Sequence, residues 1–312
     1  MSVINSQIAE VLACKNAICY SGYRPGQSPG LKIYPSYSQV LEDLLILKDK
    51  WSFLRLYDSG PHAQVVLEVI KREKLPFKIL LGMDLAAEES NPGCPWGAYF
   101  SDDQLGKNRA ANDDELQRAV YLLRHYPNEL CGISVGNEAS VDWTDHKVST
   151  ERLVFFAKHL KTLNVCPITF CENYVPWANG QLDQLAEVVD FISLHSYPVW
   201  ESISVDQAME YTKQNYASVA NRFPDKQVII TEAGWTSNAN GNGFPAEFAN
   251  EDWQATYCAE LLQWSKKEGK VVFLFEAFDE AWKGSPDPLE PEKHWGIYKE
   301  DRTAKAVVAS LV

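Results

Sequence analysis

With 312 residues and 46% hydrophobic content the chain can build a substantial core, and that length suits either two small domains or one large α/β barrel. A formal charge of −13, from 42 acids against 29 Lys plus Arg, argues against attraction to nucleic acid or anionic lipid and leaves neutral ligands as the better fit. No run approaches the roughly 20 apolar residues that a membrane-spanning helix needs.

The chain opens MSVINSQIAEVLACK, without a basic stretch followed by an apolar one. This predicts a cytoplasmic protein if Met1 is the natural start, and a periplasmic or secreted one if the sequence has been trimmed. The first strand is predicted in NAICYSGY (16–23), followed by a Gly/Pro-rich loop with Arg24 and Gln27 as polar tips. Helical spacing of Val40, Leu41, Leu44, Leu45 and Leu47 marks a helix over 37–48. The second strand is FLRLYD (53–58), with a helix over 62–74, and the third is FKILLGMDL (77–85).

The segment 86–111 breaks this rhythm. It carries Pro92, Pro95, Trp96, Tyr99 and Phe100, and a long aromatic connection in a tight alternation points to a binding site rather than a spacer. A helix is predicted over 113–126, with Asn112 as its cap and three acids in its first turn. The fourth strand, GISVGNE, ends in Glu138. A capped helix spans 149–163, with Leu153, Phe156, Leu160 and Leu163 on one face. The fifth strand is PITFCENY (167–174), before a short helix over 182–189, and the sixth is FISLHSY (191–197). A long helix over 205–223 leads to QVIITEAGW (227–235), whose β-branched run Val228, Ile229, Ile230 suits a strand buried on both faces and ends in Glu232. A helix over 246–267, an eighth strand in VVFLFEAFDEAW from Val271 and a last helix over 303–311 complete the chain.

Eight strands alternating with eight helices, without a shift in composition, predict one (β/α)₈ TIM barrel over 1–312. In that architecture the strand C-terminal ends carry the chemistry, and there fall Tyr57, Asp58, Glu138, Glu172, His195, Tyr197, Glu232, Glu276 and Glu280. Two acids delivered by two buried strands match what glycoside cleavage needs: one carboxyl protonates the leaving oxygen and the other attacks or activates water. The competing reading is of two ordinary strand-end acids. The seven cysteines (Cys14, Cys19, Cys94, Cys131, Cys166, Cys171, Cys258) are scattered without metal or redox spacing, which predicts buried free thiols. No metal, nucleotide or other cofactor is expected, because neither a ligand cluster nor a Gly-rich phosphate loop occurs. Ten Trp and 14 Tyr supply flat faces that pack on sugars as readily as they fill cores.

YSGYRPGQSP, LRLYD, SVGNEA, HSYPVW, ITEAGW and FEAFDEAWK with EKHWGIY, in barrel order from about residue 17 to 298, carry a resemblance. The chain resembles glycoside hydrolase family 17, the β-1,3-glucanases and their transglycosylating relatives. That resemblance implies a retaining hydrolase of β-1,3-glucan such as laminarin, or a glucan transglycosylase using the same residues. Glu138 matches the acid/base of the VGNE motif and Glu232 the nucleophile of the TEAGW motif, which implies carboxyls roughly 5 Å apart. Glu138 would be kept protonated by its surroundings and Glu232 ionised by donors. Implied sugar-binding residues are Tyr57, Asn137, Glu280, Lys283 and Glu292. An ion pair of Lys283 with Glu280 or Glu292 is the alternative. Trp200, Trp235 and Trp282 are candidate stacking platforms, with core packing as the competing role. His195 and Tyr197 join the binding set, and His195 is read as a hydrogen-bonding support rather than a base. Thr236 after Trp235 departs from the plant pattern, and the GQSP loop looks like bacterial members. The loop over 92–101 either walls off one end of the cleft, giving chain-end trimming, or lies flat, giving internal cleavage.

Overall fold

A computed structural model describes residues 16–311; Cys14 and the opening segment lie outside the described residues. Eight parallel strands close into a barrel in sequence order. They are β1 (Ala17–Cys19), β2 (Phe53–Arg55), β3 (Lys78–Leu81), β4 (Leu130–Asn137), β5 (Ile168–Asn173), β6 (Ile192–His195), β7 (Val228–Ala233) and β8 (Val272–Leu274). Closure removes both sheet edges, so no strand is left with unpaired backbone groups. The helices shield the outer face, which is why strands such as β7 are buried along their whole length and read as continuous apolar runs.

The crossovers are α1 (Tyr37–Leu47), α2 (Pro61–Glu73), α3 (Asp102–His125), α4 (Thr150–Lys161), the short pair α5 (Tyr174–Ala178) and α6 (Asp183–Ala186), α7 (Val205–Arg222), α8 (Glu251–Glu268) and α9 (Ala306–Ser310). Local chemistry sets their ends. Ser36 and Gln39 form a capping box at α1, and Gly269, left-handed at φ 63°, stops α8. On α4 the predicted face is the buried one, with Leu153, Phe156 and Leu160 enclosed, each such side chain stabilising by about 1.5–3 kcal/mol. Among the described residues no helix is long and apolar enough to cross a membrane. The six described cysteines are buried and none is joined to another by a disulfide, as expected.

Three elements differ from expectation. Helix α3 begins eleven residues before the predicted start (Asp102 against residue 113), capped by Ser101 with Asp102 and Asp103 in its first turn. Its first ten residues are mostly exposed and show no apolar stripe, which hid them. Asn112 is therefore not a cap. It is buried inside the helix, accepting from the Ala86 N–H (2.8 Å) and donating to the Ala86 carbonyl (2.9 Å) and to Glu88 (3.0 Å), and so fastens the β3 loop. The fifth crossover holds two short helices rather than one. Strand β8 is much shorter than its apolar run, because from Glu276 the chain pairs with residues 295–298 instead (Ile297 N to Glu276 O, 2.9 Å). The β7 exit crowds this turn: a Cβ on Gly234 would lie 1.9 Å from the Phe275 carbonyl oxygen.

Candidate active site

Glu138 follows the last residue of β4 at φ 44°, the left-handed region that non-glycine residues seldom adopt. Neighbouring β5 holds this turn on both sides. The Glu138 N–H donates to the Cys171 carbonyl (3.0 Å), and Ser140 gives both its N–H (2.9 Å) and its hydroxyl (2.6 Å) to Glu172. Burial first, and then the charge of Glu138, push the Glu172 carboxyl up to about 7. The Glu138 side chain keeps 28% of its surface open to solvent.

Glu232, on β7, is 5% exposed and surrounded by donors. Arg55 of β2 and the Tyr197 hydroxyl each donate to one of its oxygens. Arg55 also bonds the Asn137 side chain and the Thr231 carbonyl (3.1 Å), and its guanidinium lies 4.5 Å from the centre of the Tyr57 ring. Burial pushes the Glu232 carboxyl up, but the charges of His195 and Arg55 and the Tyr197 and Arg55 hydrogen bonds outweigh it and hold the group below its ordinary range.

His195 links the two acids. Its Nδ1 is 2.8 Å from a Glu138 oxygen and 3.5 Å from a Glu232 oxygen, and its Nε2 is 3.2 Å from Arg55. Burial works against a charged ring, but the Glu232 and Glu138 carboxylates and the Cys171 thiol raise its pKa, and the charged ring donates from Nδ1 to Glu138. Glu138, His195 and Glu232 each offer an atom within 4.8 Å of the others. This is also the one cluster among the described residues close enough to hold a cation. The Arg55 guanidinium and the His195 proton already occupy its oxygens, so the arrangement suits an acid pair better than a metal cage.

The remaining predicted residues divide by exposure. Tyr57, Asn137, Tyr197 and Trp200 are half-buried around the pair. It is the Tyr197 hydroxyl that donates to Glu232; the Tyr57 hydroxyl makes no such bond and lies buried near Cys19. Lys283 bonds both oxygens of Glu276 (2.7 and 2.6 Å) and one of Glu280 (3.0 Å), so the ion-pair alternative holds for Glu280. Glu292 is half-buried with no hydrogen bond of its own; burial, with Glu232 and Glu138 opposing Lys283, raises it to about 7.

Three expectations need correction. Trp235 is not a platform: it is fully buried, packed on Trp253 and Tyr257 with its N–H on the Phe248 carbonyl (2.8 Å). Glu280 has no exposed surface, being enclosed by Ser21 (2.8 Å), the Tyr23 N–H (3.0 Å) and Lys283; it anchors its loop. His195 is equally enclosed, which leaves it the support role and no sugar contact.

The BtgE/BtgC glycoside hydrolase domain matches residues 17–296. The chain belongs to this glycoside hydrolase family. Within the BtgE/BtgC family's reach lie a glucan 1,3-beta-glucosidase of Arthroderma benhamiae, 25% identical over 281 residues (85% of this chain, 82% of that protein), and a putative glucan endo-1,3-beta-glucosidase of Aspergillus niger, 26% identical over 301 residues. The chain spans only 40% of the length of the second. An endo-laminarinase from Formosa Hel1_33_131 shares the fold with a TM-score of 0.83 at 24% identity, covering 100% of this chain and 89% of that one. A family 17 β-1,3-glucanosyltransferase from Rhizomucor miehei does so at 0.73 and 20% identity, with 94% and 96% covered.

The BtgE/BtgC fold also brings in two residues that sequence reasoning passed over, Arg55 and Glu276. The signal for Arg55 was present in LRLYD, since an arginine between two leucines of a buried strand needs a buried partner. Glu276 was placed at a strand end without a role; its role depends on Lys283, which the turn after β8 folds back onto it.

Proposed function

We propose that this chain hydrolyses β-1,3-glucosidic bonds of laminarin-type glucans with retention of configuration. The observation that carries this reading is the unequal pair: Glu138 and Glu232 present oxygens within 4.8 Å, and the guanidinium and phenol rest on Glu232 alone. That spacing suits a carboxylate that attacks the sugar directly rather than one that leaves room for water. Glu232, ionised by Arg55, His195 and Tyr197, attacks the anomeric carbon while Glu138 gives its proton to the departing glycosidic oxygen. Glu138 then removes a proton from water, whose oxygen displaces Glu232 and releases the sugar. The solvent-open face of Glu138 gives water access to this second step. The names of the relatives support β-1,3-glucan as the substrate.

The test is proton NMR of the first product formed from a reduced laminari-oligosaccharide. The β-anomer is expected, and Glu232→Ala should abolish turnover; α-anomer first, or near-normal hydrolysis by Glu232→Ala, overturns the assignment. Products longer than the substrate would instead mean that a sugar resolves the intermediate, giving a transglycosylase with the same two glutamates.

A further inference from the structure

Three of the chain's ten tryptophans are exposed: Trp96 at 66%, Trp143 at 39% and Trp282 at 39%. Each lies on a segment leaving the C-terminal end of a strand, after β3, β4 and β8 respectively, on the face that holds Glu138 and Glu232. In a closed barrel of eight strands in sequence order, β4 and β8 stand diametrically opposite. The segment carrying Trp143, with the adjoining segment of Trp96, therefore leaves one side of the mouth and the segment carrying Trp282 the opposite side.

The β3 and β4 loops are clipped into one rigid body. Asn91, buried, donates to the carbonyls of Asp142 and Thr144 (2.8 Å each), and the Glu88 N–H donates to the Lys147 carbonyl (2.9 Å). The β3 loop is closed on itself by Asn91 N to Ala98 O (2.8 Å) and by Phe100 N to the Ser90 hydroxyl (3.0 Å). Gly93 lies so close to the β4 loop that a Cβ there would sit 2.9 Å from the Asp142 carbonyl oxygen. The Asp145 carboxyl is held below its ordinary range by His146 first and, to a smaller extent, by the Trp96 side chain. Asp145 contacts His146 (2.8 Å), whose Nε2 reaches the carbonyl of Asn137 (2.9 Å), the residue before Glu138. A single exposed indole is unremarkable on any surface. Exposed indoles on loops that are clipped to one another beside a reaction centre are pre-organised for a flat apolar ligand, because part of the ordering cost was met on folding.

We propose that Trp96 and Trp143 form an outlying station that stacks glucose rings of a β-glucan chain beyond the two sugars flanking the scissile bond, facing Trp282 across the barrel mouth. This deepens the β-glucan reading and rests on it. A chain long enough to touch both rims lies through an open cleft, so internal bonds are cleaved and catalytic efficiency climbs with chain length.

The experiment measures binding and turnover separately. In a Glu232→Gln background, titration calorimetry with laminarihexaose should give a Kd that Trp96→Ala weakens by about 3- to 10-fold, with Trp96→Tyr recovering part of the loss and laminaribiose responding far less. In the active enzyme, Trp96→Ala and Trp143→Ala should flatten the rise of kcat/KM from laminaribiose to laminarihexaose, while Tyr121→Ala, an exposed aromatic on α3, should leave that rise intact. An unchanged hexaose Kd and an unchanged rise in both tryptophan variants overturn the station while leaving the hydrolase reading standing. Hexaose binding that Trp96→Ala weakens, without hydrolysis of any length by the wild type, keeps the station and overturns the hydrolase reading. Neither binding nor hydrolysis overturns both.

Discussion

Replacing Arg55 tests the electrostatic design of the site. Its guanidinium is 2% exposed and holds Glu232, Asn137 and the Thr231 carbonyl at once, so solvent screening does little to weaken it. Arg55→Lys keeps the charge but not the planar fork, and one ammonium cannot serve all three acceptors. Hydrogen bonds to charged groups contribute about 1.5–3 kcal/mol each, and misplacing a donor at a developing charge costs about 2.7–4 kcal/mol. The expected fall in kcat/KM is thus about 100- to 1000-fold. Arg55→Met goes further, leaving Glu232 buried without its cation, and should cost about 3–5 kcal/mol of stability. Because Glu232 is held below the ordinary carboxyl range, its ionised form stabilises the fold above the unfolded carboxyl pKa, and that contribution is lost as pH falls through the folded value. Without Arg55 the folded value rises, so the acid limb of the activity profile should move to higher pH and the stability gained between acid and neutral pH should shrink. The assay is kcat/KM against pH on laminarihexaose for wild type and both variants, with urea unfolding at two pH values. Near wild-type kcat/KM in Arg55→Lys, with the acid limb unmoved, would refute this account of Glu232.

Trp235→Phe should destabilise by about 1–3 kcal/mol, since it removes the indole N–H from the half-buried Phe248 carbonyl, yet leave KM for laminarihexaose unchanged; a raised KM would return Trp235 to the cleft. Gly234→Ala puts a methyl 1.9 Å from a backbone oxygen, so a thermal midpoint within a degree of wild type would contradict the close packing of the β7 and β8 exits. Glu276→Gln removes the anion that grips Lys283 with both oxygens, and a loss of about 3–5 kcal/mol in urea unfolding is expected, with KM rising as the loop loosens. Asn112→Ala should cost about 1–3 kcal/mol through the two Ala86 backbone groups it leaves unpaired; hydrogen exchange at residue 86 reports it.

The sequence by itself determined the barrel and the two acids, because both are written in short-range chemistry. Runs such as Val228 to Ile230 must be buried on both faces, and a carboxylate ending such a run is costly enough to stand out. The exposed first half of α3 left no such mark: a helix held by its cap and propensity, without an apolar face, carries no periodicity to read. Only the tertiary structure decided which partners the side chains take. Arg55 and Glu232 are 177 residues apart, and nothing local to either says that closure of the barrel brings them into contact. The same holds for Trp235 and Trp96. One indole was left open between meeting sugar and packing in the core and is sealed in the core; the other lay in a loop of undecided posture and is exposed, because whether an aromatic ring is covered depends on which helices and loops pack over it.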